Sequence, residues 1–256
     1  MTSMWNDFKL KFLKSGNPAL LYIGINALVF IIASLAAVLI FVFSGNHDVI
    51  KSYVEQYFAF PADPSLWLSR CYTLLTYQFF HADFFHILFN MLWLYWMGQL
   101  LLDFVKPRQF HLIYLGGGII GAIFFALIFN IFPVFQPYAS GATVIGASAA
   151  VMSVFTALAT LVPNYSIRLL FIGDVKIKYL LFVYILLDLI AIQSANAGGN
   201  LAHLGGALFG FIYIKFLQSG TDLSMLFKRK PKMKVVRNEN QKKRIKLSIK
   251  KKLMRY

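Results

Sequence analysis

Hydrophobic and polar positions along this chain separate into six long apolar runs, at about 20–44, 82–104, 109–132, 145–162, 178–196 and 199–218. Each run approaches the ~20 residues that a helix needs to cross the hydrocarbon core of a bilayer, so the pattern predicts six spanning helices. Helix breakers punctuate it: Pro18 precedes the first run, Ser44-Gly45-Asn46-His47-Asp48 closes it, and Pro107 separates the second from the third. The expected fold is an all-α membrane protein with a six-transmembrane-helix bundle over 20–218, an N-terminal segment over 1–19 and a polar tail over 219–256. No internal repeat is evident. Residues 1–18 are polar and basic, and the run after them is too long for the apolar part of a signal peptide, so the first run is expected to stay as an anchor. Trp5, Phe8 and Phe12 recur at helical spacing, which suits a helix on the membrane surface as well as it does a disordered leader.

Composition agrees with lipid as the main solvent: 59% of the 256 residues are hydrophobic and 14% charged. The formal net charge of +15 would suggest a polyanionic partner, but its location points elsewhere. Residues 219–256 hold 14 Lys and Arg against Asp222 and Glu239. A basic tail beside a membrane helix is a topology signal and a contact for anionic lipid, and Ile245, Ile249 and Leu253 give it an apolar helical face. With no recognition motif, nucleic acid is not an expected partner. One side of the membrane collects Lys9, Lys11, Lys14, Lys106, Arg108, Arg168, Lys176, Lys178 and the tail, while the other has Lys51 and Arg70. Both termini are therefore expected to be cytoplasmic, in a bacterial cytoplasmic membrane. The long 45–80 connection carries Tyr53, Tyr57, Phe58, Phe60 and Trp67, which suits partial insertion in the interface. The single Cys71 makes no intrachain disulfide.

Ionisable and polar groups inside membrane helices are costly, and few are present. His81, His86 and Asn90 lie near the outer end of the second span, Ser148 opens the fourth and His203 the sixth. These three spans run in the same direction, so the groups fall within about two helical turns of one depth. A serine becomes a nucleophile when a base takes its proton, and neutral imidazole suits that role near pH 7. Ser148 is equally one of five small residues, Gly146 to Ala150, that let helices approach closely. His203 shares a helix face with Gly206 and Gly210, a face expected to pack on a neighbour. His86 and Asn90 are four residues apart and can donate from one patch, either to an oxyanion or to another helix. His81 falls on a different face and reads as structural. Asp103 and His111 sit at the opposite ends of their helices, where water or headgroups account for them. HExxH and paired Cys/His sets are absent, so no metal or cofactor is expected. Asp188 could orient His203, but counting along the fifth run puts it about a turn deeper, so a Ser-His dyad is expected.

His81-Ala82-Asp83-Phe84-Phe85-His86-Ile87-Leu88-Phe89-Asn90 resembles the HxxxxHxxxN helix of the rhomboid family of intramembrane serine proteases. Gly146-Ala147-Ser148 resembles the start of its GxSG motif, and Ala202-His203 with Gly206 and Gly210 its AHxxGxxxG helix. The three occur in the family's order, and the resemblance covers about residues 20–218. It implies a rhomboid-like bundle with Ser148 as nucleophile, His203 as general base, and His86 with Asn90 as oxyanion donors. It also implies cofactor-free cleavage of transmembrane substrates near their outer end. Three positions depart from the family pattern. Ala149 replaces the usual glycine after the serine, Met152 stands where many members pack an aromatic on the histidine, and Thr73 falls where a loop Trp-Arg pair would place its Arg, with Arg70 nearby. The rival reading is a catalytically inactive relative that binds membrane clients, which would need the fold but not the serine and histidine together. A transporter is weaker still, because the buried polar groups cluster towards one face.

Overall fold

The computed structural model describes residues 16–46, 48–169, 173–194 and 196–227. The N-terminal residues Trp5, Phe8 and Phe12 and the tail residues Ile245, Ile249 and Leu253 lie outside the described residues. Met1–Ser224 belong to one compact unit; of a second, Met225–Tyr256, only residues 225–227 are described.

The described chain is mostly helical. The long first helix, α1 (Pro18–Ser44), starts on a proline that needs no amide partner, with the Asn17 side chain accepting from the Leu20 N–H at 3.1 Å. It stops at Gly45, whose left-handed φ of 70° lets its N–H donate to the Phe41 carbonyl. A short α2 (Val49–Tyr57) follows, then an irregular segment with one helical turn, Thr73–Thr76. The remaining long helices are α3 (Phe84–Leu102), α4 (Pro107–Ile131), α5 (Ser148–Leu161), α6 (Ile177–Ile190) and α7 (Ala197–Gln218). Of these, α1, α3, α4 and α7 are long and apolar enough to cross a membrane. The helices α5 and α6 have 14 residues each, about 21 Å at ~1.5 Å per residue and short of a ~30 Å hydrocarbon core.

Two boundaries differ from expectation in a way that shapes the cavity. The fourth run begins its helix at Ser148 rather than 145, because Gly146 has a φ of 118° that a helix does not tolerate. The fifth ends at Ile190, where a tight 3-10 turn, Ala191–Gln193, replaces the helical residues expected up to 196. Two antiparallel strand pairs also appear. β1 (Phe60–Pro61) pairs with β2 (Thr143–Val144), tying the long first connection to the segment just before Ser148. β3 (Ser166–Leu169) pairs with β4 (Gly173–Lys176) between α5 and α6. The aromatic residues of the first connection are used partly inside the protein: Phe60 and Tyr77 are buried, and the Tyr77 hydroxyl donates to the Gly118 carbonyl of α4.

α5 sits at the centre of the bundle against α3, α4 and α7, with nearly every residue buried. Glycines make that possible. A Cβ on Gly206 would overlap the Ala149 carbonyl and one on Gly210 the Ser153 carbonyl, so α7 meets the α5 backbone directly. From the other side Gly121 of α4 faces the Ala149 methyl and the Ala202 carbonyl, each 2.6 Å from where its own Cβ would stand. This close approach brings the heads of α5 and α7 together.

Candidate active site

Ser148 is the first residue of α5, and its position is set from the loop before it. The Gly146 N–H donates to the Tyr77 carbonyl at 3.0 Å, and the Ala147 N–H makes a long 3.4 Å contact with His81 Nε2. Burial, with His86 adding to it, pushes the His81 imidazole down to about 3, so the ring is neutral near pH 7 and can accept that N–H. His81 is thus a structural prop of the serine loop. Gly146 also leaves room for the His86 ring: a Cβ there would lie 2.6 Å from both Cε1 and Nε2. Any side chain would displace His86 from its place beside the serine loop.

His86 and Asn90 come from the first two turns of α3. Asp83 caps that helix by accepting from the His86 N–H at 2.8 Å, and Asn90 Nδ2 donates to the His86 carbonyl at 2.8 Å. His86 Nδ1 is 3.5 Å from the Ala82 N–H, an arrangement in which Nδ1 accepts and Nε2 carries the proton as a donor. His203 lies in the second turn of α7, three residues before the Gly206 that abuts Ala149. Ser148, His203, His86 and Asn90 all line one cavity of about 610 Å³, whose lining also includes Met152, Trp93, Phe155 and Tyr184. The Trp93 and Phe155 rings stack at 5.3 Å, and Tyr184 meets both edge-on. The first amides of α5 have no intrahelical carbonyl to bond, so the serine end of this helix presents donors and a positive dipole end.

Asp188 is not where counting along the fifth run places it. It lies two residues from the C-terminal end of α6 rather than midway along a longer helix, and its Oδ1 is 2.9 Å from His203 Nδ1. The early end of α6 and the early start of α7 bring the two residues to one level. The departures from the family pattern are also absorbed locally. The Ala149 methyl faces Gly121 and is fully buried away from the cavity. An aromatic ring does approach His203 despite Met152: Tyr184, from α6, at 6.4 Å between ring centroids. Thr73 is buried and donates to the Arg70 carbonyl. Spacing argues nothing for Tyr184 or Trp93, although aromatic side chains deep in an apolar run are visible as lining candidates. His111, expected to be a headgroup contact, instead lies 2.8 Å from the Tyr22 hydroxyl. Among the described residues no cluster of His, Cys, Asp or Glu is placed to hold a metal ion.

The family model described as Rhomboid domain matches residues 68–219, more than half of the chain. Among curated proteins, the chain is 31% identical over 147 residues to RHOMBOID-like protein 12, mitochondrial, of Arabidopsis thaliana, covering 54% of this chain and 44% of that one. It is 26% identical over 193 residues to Presenilin-associated rhomboid-like protein, mitochondrial, of Homo sapiens, covering 71% and 46%. A Danio rerio protein, Presenilin-associated rhomboid-like protein A, mitochondrial, is 28% identical over 153 residues, covering 58% and 38%. The match spans less than half the length of each relative. All three relatives are mitochondrial by name, which does not fit the bacterial cytoplasmic membrane expected from the sequence.

Proposed function

The chain belongs to the rhomboid family of integral membrane proteins, and on that premise we propose that it is a serine endopeptidase acting on transmembrane substrates. The observation that carries the reading is the convergence of Ser148, His203, His86 and Asn90 on one cavity. Ser148 Oγ attacks the scissile carbonyl carbon while its proton passes to His203 Nε2. The carbonyl oxygen becomes an oxyanion, stabilised by the free amides at the head of α5, by Asn90 Nδ2 and by His86 Nε2. Collapse of that adduct breaks the C–N bond, and His203 returns the proton to the leaving amine. Water then attacks the acyl-serine by the same route and frees the new carboxyl end. Neither step calls for a metal or cofactor.

In this reading α1 and α3 to α7 are six spans, the 14-residue α5 and α6 being short because the hollow above them is reached by water rather than lipid. Substrate enters sideways between helices. Both termini lie on the side that gathers the positive charge, and the basic tail beyond Gly220 contacts anionic lipid. A catalytically inactive relative would use the same fold, but nothing in that role calls for a serine and a histidine lining one cavity. The experiment is cleavage of a panel of labelled transmembrane substrates by purified protein, with Ser148→Ala alongside. Product from the parent protein and none from the variant supports the reading, and product from both overturns it.

A further inference from the structure

We propose that Asp188 is the positioning residue for His203, so that the machinery is a Ser-His-Asp triad rather than a dyad; this inference rests on the protease reading of the same cavity. Asp188 is 6% exposed, and its Oδ1 lies 2.9 Å from His203 Nδ1. Its Oδ2 has no hydrogen-bond partner among the described residues, so the group is committed to His203 alone. An ionised carboxylate only accepts, which keeps the ring proton on Nδ1 and turns the Nε2 lone pair outward. Tyr184, four residues earlier on the same face of α6, borders the same ring, so one helix face holds His203 from two directions. Asp188 reaches His203 from behind the cavity lining; the carboxylate in the lining itself, Asp83, is occupied in capping α3, and no Lys or Arg is among the lining residues.

The proton balance is simple. When Ser148 adds to the carbonyl its proton moves from Oγ to Nε2, the Nδ1 proton stays on nitrogen, and Asp188 offsets the imidazolium charge without itself being protonated. A buried carboxylate that only clamped α6 to α7 would give the same static contact, so the test must separate the two roles.

The test compares the full-length parent, Asp188→Asn, Asp188→Glu and His203→Ala in detergent, by kcat and KM on one transmembrane substrate and by nitrogen NMR of 15N-histidine-labelled protein. His203→Ala identifies the His203 signal among the five histidines. In the parent, the ring is protonated at Nδ1. In Asp188→Asn the amide can donate to Nδ1, so the proton shifts towards Nε2, kcat falls at least about a hundredfold and KM stays within about twofold. Asp188→Glu restores the carboxylate and recovers at least about tenfold of that loss. The assignment is overturned if Asp188→Asn keeps kcat within about threefold, or if kcat falls while the His203 ring signal is unchanged, the signature of a clamp. Should Asp188→Asn fail to fold, the same readings are taken on Asp188→Glu: kcat and Nδ1 protonation that are retained together or lost together uphold the proposal, and a loss of kcat with the ring signal unchanged, or protonation at Nε2 in the parent, overturns it. If the parent cleaves no substrate the protease reading fails, and the ring signal still reports on Asp188.

Discussion

Two buried polar clusters can be compared in this molecule. One is the cavity wall with Ser148, His203, His86 and Asn90; the other joins α1 to α4. In the second, the Tyr22 and Tyr114 rings stack at 4.0 Å, Asn26 Nδ2 donates to the Tyr22 carbonyl and the Tyr114 hydroxyl, and the Tyr22 hydroxyl meets His111. Both clusters put polar atoms where lipid or apolar side chains surround them, a costly placement unless those atoms find partners. The α1–α4 cluster spends its groups on one another, leaving Asn26 Oδ1 as its buried unpartnered atom. The cavity cluster does the reverse: among the described residues neither the Ser148 hydroxyl nor His203 Nε2 makes a hydrogen bond, and both residues face open volume. Polar groups that satisfy each other hold helices together, whereas groups left facing a cavity are available to a ligand.

The largest expected difference follows from this contrast. Ser148→Ala and His203→Ala should each lower turnover by about 10⁴-fold or more; Ser148→Ala should leave helicity and melting in detergent unchanged, whereas His203→Ala keeps the helicity but lowers the melting temperature, because it leaves the buried Asp188 carboxylate unpaired. Substrate cleavage and circular dichroism on the same samples check both halves. Next in size is Asn90→Ala, which removes one donor of the proposed oxyanion site and should slow turnover by roughly a hundredfold while KM moves little. A change in KM alone would reassign Asn90 to substrate contact.

How far these roles are legible in the sequence varies with the kind of information each needs. The hydropathy runs locate α1, α3, α4 and α7 to within two residues at each end, since lipid enforces long apolar helices. That Ser148 and His203 lie at one cavity is legible, because residue type and depth can be counted along a helix. Asp188 is not, because Ala191 and Ile192 are as apolar as the helix before them and hydropathy gives no sign that α6 ends at Ile190. The β1–β2 pair joins residues about 80 apart, and nothing local in Phe60 or Thr143 announces a partner. The Tyr22–His111 contact spans 89 positions and is hidden for the same reason.

Asn26→Leu and Tyr114→Phe reverse the first experiment. Each breaks the hydrogen bond in the closed cluster and should destabilise the protein by about 1–3 kcal/mol, seen in thermal or denaturant melting, with kcat within about threefold of the parent. A large loss of turnover at unchanged stability would show that the clusters are coupled and the contrast between them misplaced.

The smallest effect concerns acid. Burial pushes the folded His81 imidazole down to about 3 from its ordinary 6.5, so between those limits the unfolded chain binds more protons than the folded one. Stability supplied by neutral His81 is complete above about pH 6.5 and falls below it, by at most about 1.4 kcal/mol per pH unit. Melting between pH 7 and 5 should show this slope in the parent and a shallower one in His81→Gln.

The central claim is that Ser148 is a nucleophile activated by His203, and the most direct measurement is mass spectrometry after treatment with a fluorophosphonate, which phosphonylates activated serines. The account predicts an adduct on Ser148 in the parent protein, none in Ser148→Ala, and a rate of labelling reduced at least about a hundredfold in His203→Ala. No adduct on the folded parent protein, or labelling of His203→Ala at the parent rate, would contradict it.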